Sequence, residues 1–193
     1  GELLQEIHYS NGSESKRQSY IWLGSQPVGM IQQLAGSSNQ ADAHIYYLHT
    51  DQLNTPRKAT NQNKQLVWYW NSDAFGQGDA NSIADANNSD KLIQIGLRFP
   101  GQYADEETNS YYNYFRDYDP STGRYIQSDP IGLRGGLNTY GYVYQNPLKY
   151  TDPTGLAVPA AVVACATNPV CAAAAARTAQ VCLNVAGGIL GGI

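Results

Sequence analysis

The feature that most constrains this chain is the regularity of its turn signals. Through residue 156, short alternating runs are broken at spacings of roughly eight to twelve residues by Gly, Pro, Asn and Asp. Glu6-Ile7-His8-Tyr9 runs into Asn11-Gly12, Tyr20-Ile21-Trp22-Leu23 stops at Gly24, and Pro27-Val28-Gly29-Met30-Ile31 resumes after it. His44-Ile45-Tyr46-Tyr47-Leu48-His49 meets the turn Thr50-Asp51-Gln52-Leu53-Asn54-Thr55-Pro56. No such run is long enough for an ordinary helix, so the spacing predicts an antiparallel meander of short strands.

Strands are expected at 44–49, 57–60, 65–70, 92–99 and 111–118, with 77–91 as a polar surface loop. Composition agrees: 19 Gly and 9 Pro supply turns, and 15 Tyr against 3 Phe and 3 Trp suit pleated surfaces with one wet face. A net charge of −4 without a basic run argues against a nucleic-acid partner. No N-terminal signal peptide is visible, and a chain opening Gly-Glu-Leu-Leu reads as a piece of something longer.

The stretch Phe115-Arg116-Asp117-Tyr118-Asp119-Pro120-Ser121-Thr122-Gly123-Arg124-Tyr125 is a strand, an Asp-Pro turn and a second strand. Units of this kind extend a sheet by stacking one hairpin on the last, giving a spiral. Two boxes of the form Asp-Pro-x-Gly-Leu follow, Asp129-Pro130-Ile131-Gly132-Leu133 and Asp152-Pro153-Thr154-Gly155-Leu156. Taken singly, each is a turn in which Asp bonds its own backbone and Gly takes positive φ.

Together with Arg98-Phe99-Pro100-Gly101-Gln102-Tyr103, these boxes resemble the Rhs repeat-associated core domain of bacterial Rhs/YD-repeat proteins. Residues 49–56, Trp68 and Asp73-Ala74-Phe75-Gly76 are similar to the preceding Rhs repeat, with Gln52 and Asn54 in place of the commoner His and Gly. The resemblance covers most of 44–156. It implies a mainly β fold: the end of a spiralling antiparallel shell, followed by a short apolar helical tail. It divides the chain into repeat strands over 1–94, a core domain over 95–156, and an Ala/Gly-rich tail over 157–193 serving as pre-toxin linker or truncated toxin start.

In function, the resemblance implies a segment of a secreted or cell-surface toxin protein, exported by a specialised system, that encapsulates and releases a C-terminal effector. Its partners would be the rest of the shell and the toxin, with a secretion-system spike or an immunity protein beyond them. It also implies aspartic self-cleavage after the second box, at the Leu156–Ala157 bond, with Asp129 and Asp152 as the catalytic carboxylates. Such chemistry needs one carboxylate to activate water and another to deliver a proton, and no cofactor or metal. Some family members carry an arginine just before the first aspartate; Ser128 stands there here, which tells against an arginine-assisted form.

Other readings compete for particular residues. His44 and His49 fall on opposite faces of one strand, and no Cys accompanies them or His8, so surface or cross-strand roles outweigh a metal site. Tyr111-Tyr112-Asn113-Tyr114 could form a glycan- or partner-binding platform, although packing explains the cluster more simply. The tail holds all three cysteines (Cys165, Cys171, Cys182), one charged residue, Arg177, and breaks at Pro159 and Pro169. Its composition favours a helix before Asn168 and another over 170–186, and membrane contact is a rival reading.

Overall fold

A computed structural model of the chain describes residues 2–36, 43–85 and 92–156. Seven strands form one antiparallel sheet in strict chain order: β1 (Gln5–Ser10), β2 (Ser13–Leu23), β3 (Gln26–Leu34), β4 (Ala43–Thr50), β5 (Pro56–Thr60), β6 (Leu66–Trp70) and β7 (Ala80–Ser82). A second antiparallel sheet holds β8 (Tyr103–Asp105), β9 (Ser110–Asn113), β10 (Arg116–Asp119) and β11 (Arg124–Tyr125), again joined only to chain neighbours. The only helices among the described residues are two 3₁₀ turns, Gly132–Gly135 and Val143–Gln145. None of these residues belongs to a helix long and apolar enough to cross a membrane.

Side chains of Asp and Asn close the turns that the spacing indicated. The Asp51 carboxylate accepts the N–H groups of Leu53 and Thr55, and Asp73 accepts those of Phe75 and Gln77. Asn61 does the same for Asn63 and Gln65. Each satisfies backbone donors that a tight turn leaves unpaired.

Three expectations change. Residues 92–99 do not form a paired strand, and an isolated bridge from Leu97 to Tyr103 is their one ladder contact. They still alternate, burying Ile93, Ile95, Leu97 and Phe99, and they cross the inner face of the first sheet, where Gln18 donates to the Gln94 carbonyl at 3.1 Å. Burial alone produces the period of two that suggested a strand. Residues 111–118 are not one strand but the hairpin β9–β10, turning at Tyr114 and Phe115, with Tyr114 at φ 56°. Within the expected loop 77–91, β7 pairs with β6. The expected helices and the cysteines of the tail lie outside the described residues.

The core lies between the sheets and is largely aromatic. Trp70 meets Phe99 and Tyr111 edge-on at 5.7 and 6.2 Å, and Tyr142 contacts Phe99, Tyr118 and Tyr125 at 4.8–5.8 Å. The hydroxyls of Tyr111 and Tyr118 donate to the carbonyls of Gly76 and Phe75, tying the second sheet to the loop after β6. At the other end the inner face is polar: buried Gln18 donates to Gln32 across the β2–β3 pair at 3.0 Å and is met by His8.

Candidate functional site

The two Asp-Pro-x-Gly boxes both behave as turns. Asp129 Oδ1 accepts the Ile131 N–H at 2.9 Å and its carbonyl accepts the Gly132 N–H, with Gly132 at φ 62°. Asp152 Oδ1 accepts the Leu156 N–H at 3.1 Å, with Gly155 at φ 70°. In each case one carboxylate oxygen is used by the turn and the other is left to face inward.

Those inner oxygens converge on Arg116, at the start of β10. Its Nη2 lies 3.2 Å from Asp129 Oδ2 and 3.4 Å from Asp152 Oδ2, and all three side chains are 1–2% exposed. The same guanidinium donates through Nη1 to the Thr139 carbonyl at 3.0 Å and through Nε to the Gly155 carbonyl. Its face lies 3.5 Å from the centre of the Tyr125 ring. A planar, permanently charged fork suits this position because it serves four acceptors and still stacks. Alone, either carboxylate would be costly to bury.

Tyr125 and Asn113 complete the second box. The Tyr125 hydroxyl donates to Asp152 Oδ2 at 2.8 Å and accepts from Asn113 Nδ2 at 2.8 Å, and that amide also donates to the Asp152 carbonyl at 3.0 Å. Burial, reinforced by the Asp152 carboxylate, pushes the Tyr125 hydroxyl far above the ordinary tyrosine range, so it serves as a donor. Thr154 accepts the Phe115 N–H at 3.2 Å, seating the box against the β9–β10 turn. The seat is tight: a Cβ on Gly155 would stand 2.4 Å from the Asn113 carbonyl oxygen.

The structure therefore brings Asp129 and Asp152 to one cation and fixes the amide of Leu156 beside Asp152; Ala157 lies outside the described residues. Ser128 does lack an arginine's chemistry, yet the guanidinium comes from Arg116, thirteen positions before Asp129, which corrects the argument from Ser128. Arg116 and Tyr125 were hidden inside the repeat-like stretch 115–125, and Asn113 read as an ordinary residue of the expected strand 111–118. Two of the three histidines are engaged elsewhere: His49 pairs with Thr60 at 2.9 Å, and His8 with Gln18 and Glu6. Of the tyrosine cluster, Tyr111 is core, while Tyr112 and Tyr114 are half exposed.

The family described as RHS protein matches residues 45–78, from β4 through the turn after β6. Double-stranded DNA deaminase toxin A of Burkholderia cenocepacia is 36% identical over 167 residues, 80% of this chain and 11% of the relative. Toxin protein Tse5 of Pseudomonas aeruginosa is 39% identical over 122 residues, 63% of this chain and 9% of the relative. The chain thus spans only a small part of the length of these relatives. Among solved structures, TcdB2-TccC3 without its hypervariable C-terminal region aligns over 76% of this chain and 7% of its own, with a TM-score of 0.62 at 20% identity, a likeness of fold. With the RHS match on one sheet, toxins more than 30% identical across most of the chain, and a curled antiparallel fold shared with that assembly, this chain is an Rhs-repeat protein.

Proposed function

We propose that the chain is the C-terminal shell segment of an exported Rhs-type toxin protein, and that its Asp129–Arg116–Asp152 centre cuts the chain after Leu156. In this reading 1–94 are repeat strands, 95–156 the core that carries the centre, and 157–193 the lead into an effector. The remaining shell and that effector would be its partners, and the names of the relatives, which are toxins, support the assignment. The observation that carries it is the convergence of two buried aspartates, 23 positions apart in sequence, on one guanidinium beside the amide of Leu156.

The chemistry follows from charge balance. One guanidinium faces two carboxylates, so the buried cluster is neutral when the pair holds a single proton. That is the arrangement a hydrolytic pair needs. The unprotonated carboxylate takes a proton from water as its oxygen adds to the Leu156 carbonyl carbon. The protonated one gives its proton to the departing nitrogen of Ala157. The C–N bond breaks, leaving a carboxylic acid at Leu156 and an amine at Ala157. Arg116 holds the strand in place through the Gly155 carbonyl, next to the scissile bond, and the Leu156 N–H is held by Asp152.

Asp129→Asn and Asp152→Asn keep size and polarity but remove the exchangeable proton. Each is expected to leave the chain as one species by intact mass, where the unaltered chain gives fragments divided between Leu156 and Ala157. Cleavage persisting in the double variant would refute the mechanism.

A further inference from the structure

The segment Arg98-Phe99-Pro100-Gly101-Gln102-Tyr103 takes no part in the aspartate centre, yet it forms one wall of a cleft of about 770 Å³. The opposite wall comes from β1, β2 and the turns after β2 and β4. Most of the lining is apolar or aromatic, including Trp22, Phe99, Tyr112 and Tyr114. One buried polar side chain in this wall lacks partners: Gln102, 2% exposed, has neither its Nε2 nor its Oε1 bonded. The neighbouring Arg98 is engaged inward, donating through Nη1 to the Ile95 and Leu97 carbonyls and lying over Trp70 and Tyr111. Apolar walls with a few convergent polar groups are the mark of a binding cleft. An unmatched side-chain amide offers N–H and C=O side by side, which complements the peptide group of an extended chain.

The place where the chain leaves the core points to the occupant. Pro153 lines the cleft, and its carbonyl packs so closely on Gly101 that a Cβ there would stand 2.1 Å from it. Three residues later, Leu156 ends the core, and 37 residues follow with Arg177 as their one charge. They begin Ala157-Val158-Pro159-Ala160-Ala161-Val162-Val163. Proline biases Val158 toward extended backbone, and β-branched residues favour the same geometry. At about 3.3 Å per residue, these seven residues are long enough to cross a cleft of this size. Extended proline-containing segments seat well against aromatic walls.

We propose that this cleft is the docking groove for the chain that follows Leu156, with residues 157–163 extended against Trp22, Tyr112 and Tyr114 and a peptide group meeting the Gln102 amide. The groove holds this segment whether or not the bond after Leu156 is cut, so it stands apart from the cleavage reading.

The natural cysteines make the test direct, since residues 1–164 contain none. In the full chain with Cys171→Ser and Cys182→Ser, Cys165 is coupled to a benzophenone maleimide, irradiated, and the adducts mapped by peptide mass spectrometry. Adducts within one molecule at Trp22, Tyr112 or other cleft-lining residues are expected. Filling the groove from its rim by Ser25→Trp should abolish most of them, and Glu2→Trp gives the same test at a second position should the first fail to fold by near-UV circular dichroism. Adducts scattered over other surfaces, adducts joining two copies, or adducts undiminished by both rim variants would overturn the proposal. Intact mass of the same samples reports cleavage separately.

Discussion

The two sheets solve the problem of burying backbone in opposite ways. Residues 5–82 place seven strands in one sheet in chain order, so the strands' peptide groups pair largely with those of a neighbouring strand. Residues 103–156 contain four strands of two to four residues, and after Tyr125 the backbone runs to Leu156 in turns and scattered backbone bonds, with no further strand beyond the bridge from Arg124 to Gly141. There, side chains take over much of the ladder's work: Arg116 serves two carbonyls, Asn113 a third, and the aspartates of the two boxes bind the amides of Ile131 and Leu156. Stability in the first sheet is spread over many small contacts. In the second region it is concentrated in a few side chains, and those are the ones with chemistry to offer.

That contrast predicts unequal responses to the same kind of change. Arg116→Met leaves two buried carboxylates without their cation and should cost about 3–5 kcal/mol by denaturant unfolding. Arg57→Met removes the partly exposed pair with Asp51 in the first sheet, where the pairing is worth less than about 1 kcal/mol; its contacts with Trp70 and Phe99 add a packing loss. Equal losses for the two would remove the distinction. Gly155→Ala and Gly24→Ala test it next. Both glycines have positive φ, but Gly24 faces open space while Gly155 abuts the Asn113 carbonyl. The strain common to both is about 1–2 kcal/mol, and the collision should make Gly155→Ala clearly the worse, measured as a difference in unfolding midpoint.

Alkaline titration should loosen the second region first. Burial raises the hydroxyl pKa of Tyr118, Tyr125 and Tyr142 there and of Tyr20 in the first sheet, and pushes Tyr103 up to about 12. The folded state binds these protons more tightly than the unfolded one, whose tyrosines titrate near 10. Stability is therefore full below about pH 10 and falls as pH rises beyond it. Hydrogen exchange should show 103–156 opening at lower pH than β2–β4, and the reverse order would contradict the account. The smallest effect is expected from Asp119→Ala, under about 1 kcal/mol. Asp119 is held below the usual carboxylate range by the Ser121 hydroxyl, with Thr122 adding to it. Its contribution is present above the unfolded carboxylate value and disappears as pH falls through the depressed one, so wild type and variant should converge in strong acid.

The ease of reading each region from sequence follows the same division. β4 and β6 were legible because Tyr46 and Leu48, or Trp68 and Trp70, sit inward between turns closed by Asp51, Asn61 and Asp73. The β9–β10 turn was not, because Asn113-Tyr114-Phe115 carries no Gly or Pro; its shape is stabilised by Thr154, thirty-nine residues downstream, at the Phe115 amide. Residues 92–99 misled in the other direction, since a buried extended segment has a strand's period without a strand's partner. At the site, Asp129 and Asp152 were visible as repeated boxes. Arg116, Asn113 and Tyr125 owe their roles to contacts 12–39 positions away, and local pattern carries no trace of those.

The central claim is that folding of the second region assembles a centre able to cut the chain after Leu156. The most direct measurement follows intact mass while the denatured chain refolds, alongside near-UV circular dichroism of the Trp70–Tyr111–Tyr142 core. The account predicts fragments ending at Leu156 and beginning at Ala157 that appear only as the aromatic signal forms, and no cleavage in denaturant. A fully folded chain that keeps its single intact mass, or a cut at any other bond, would contradict it.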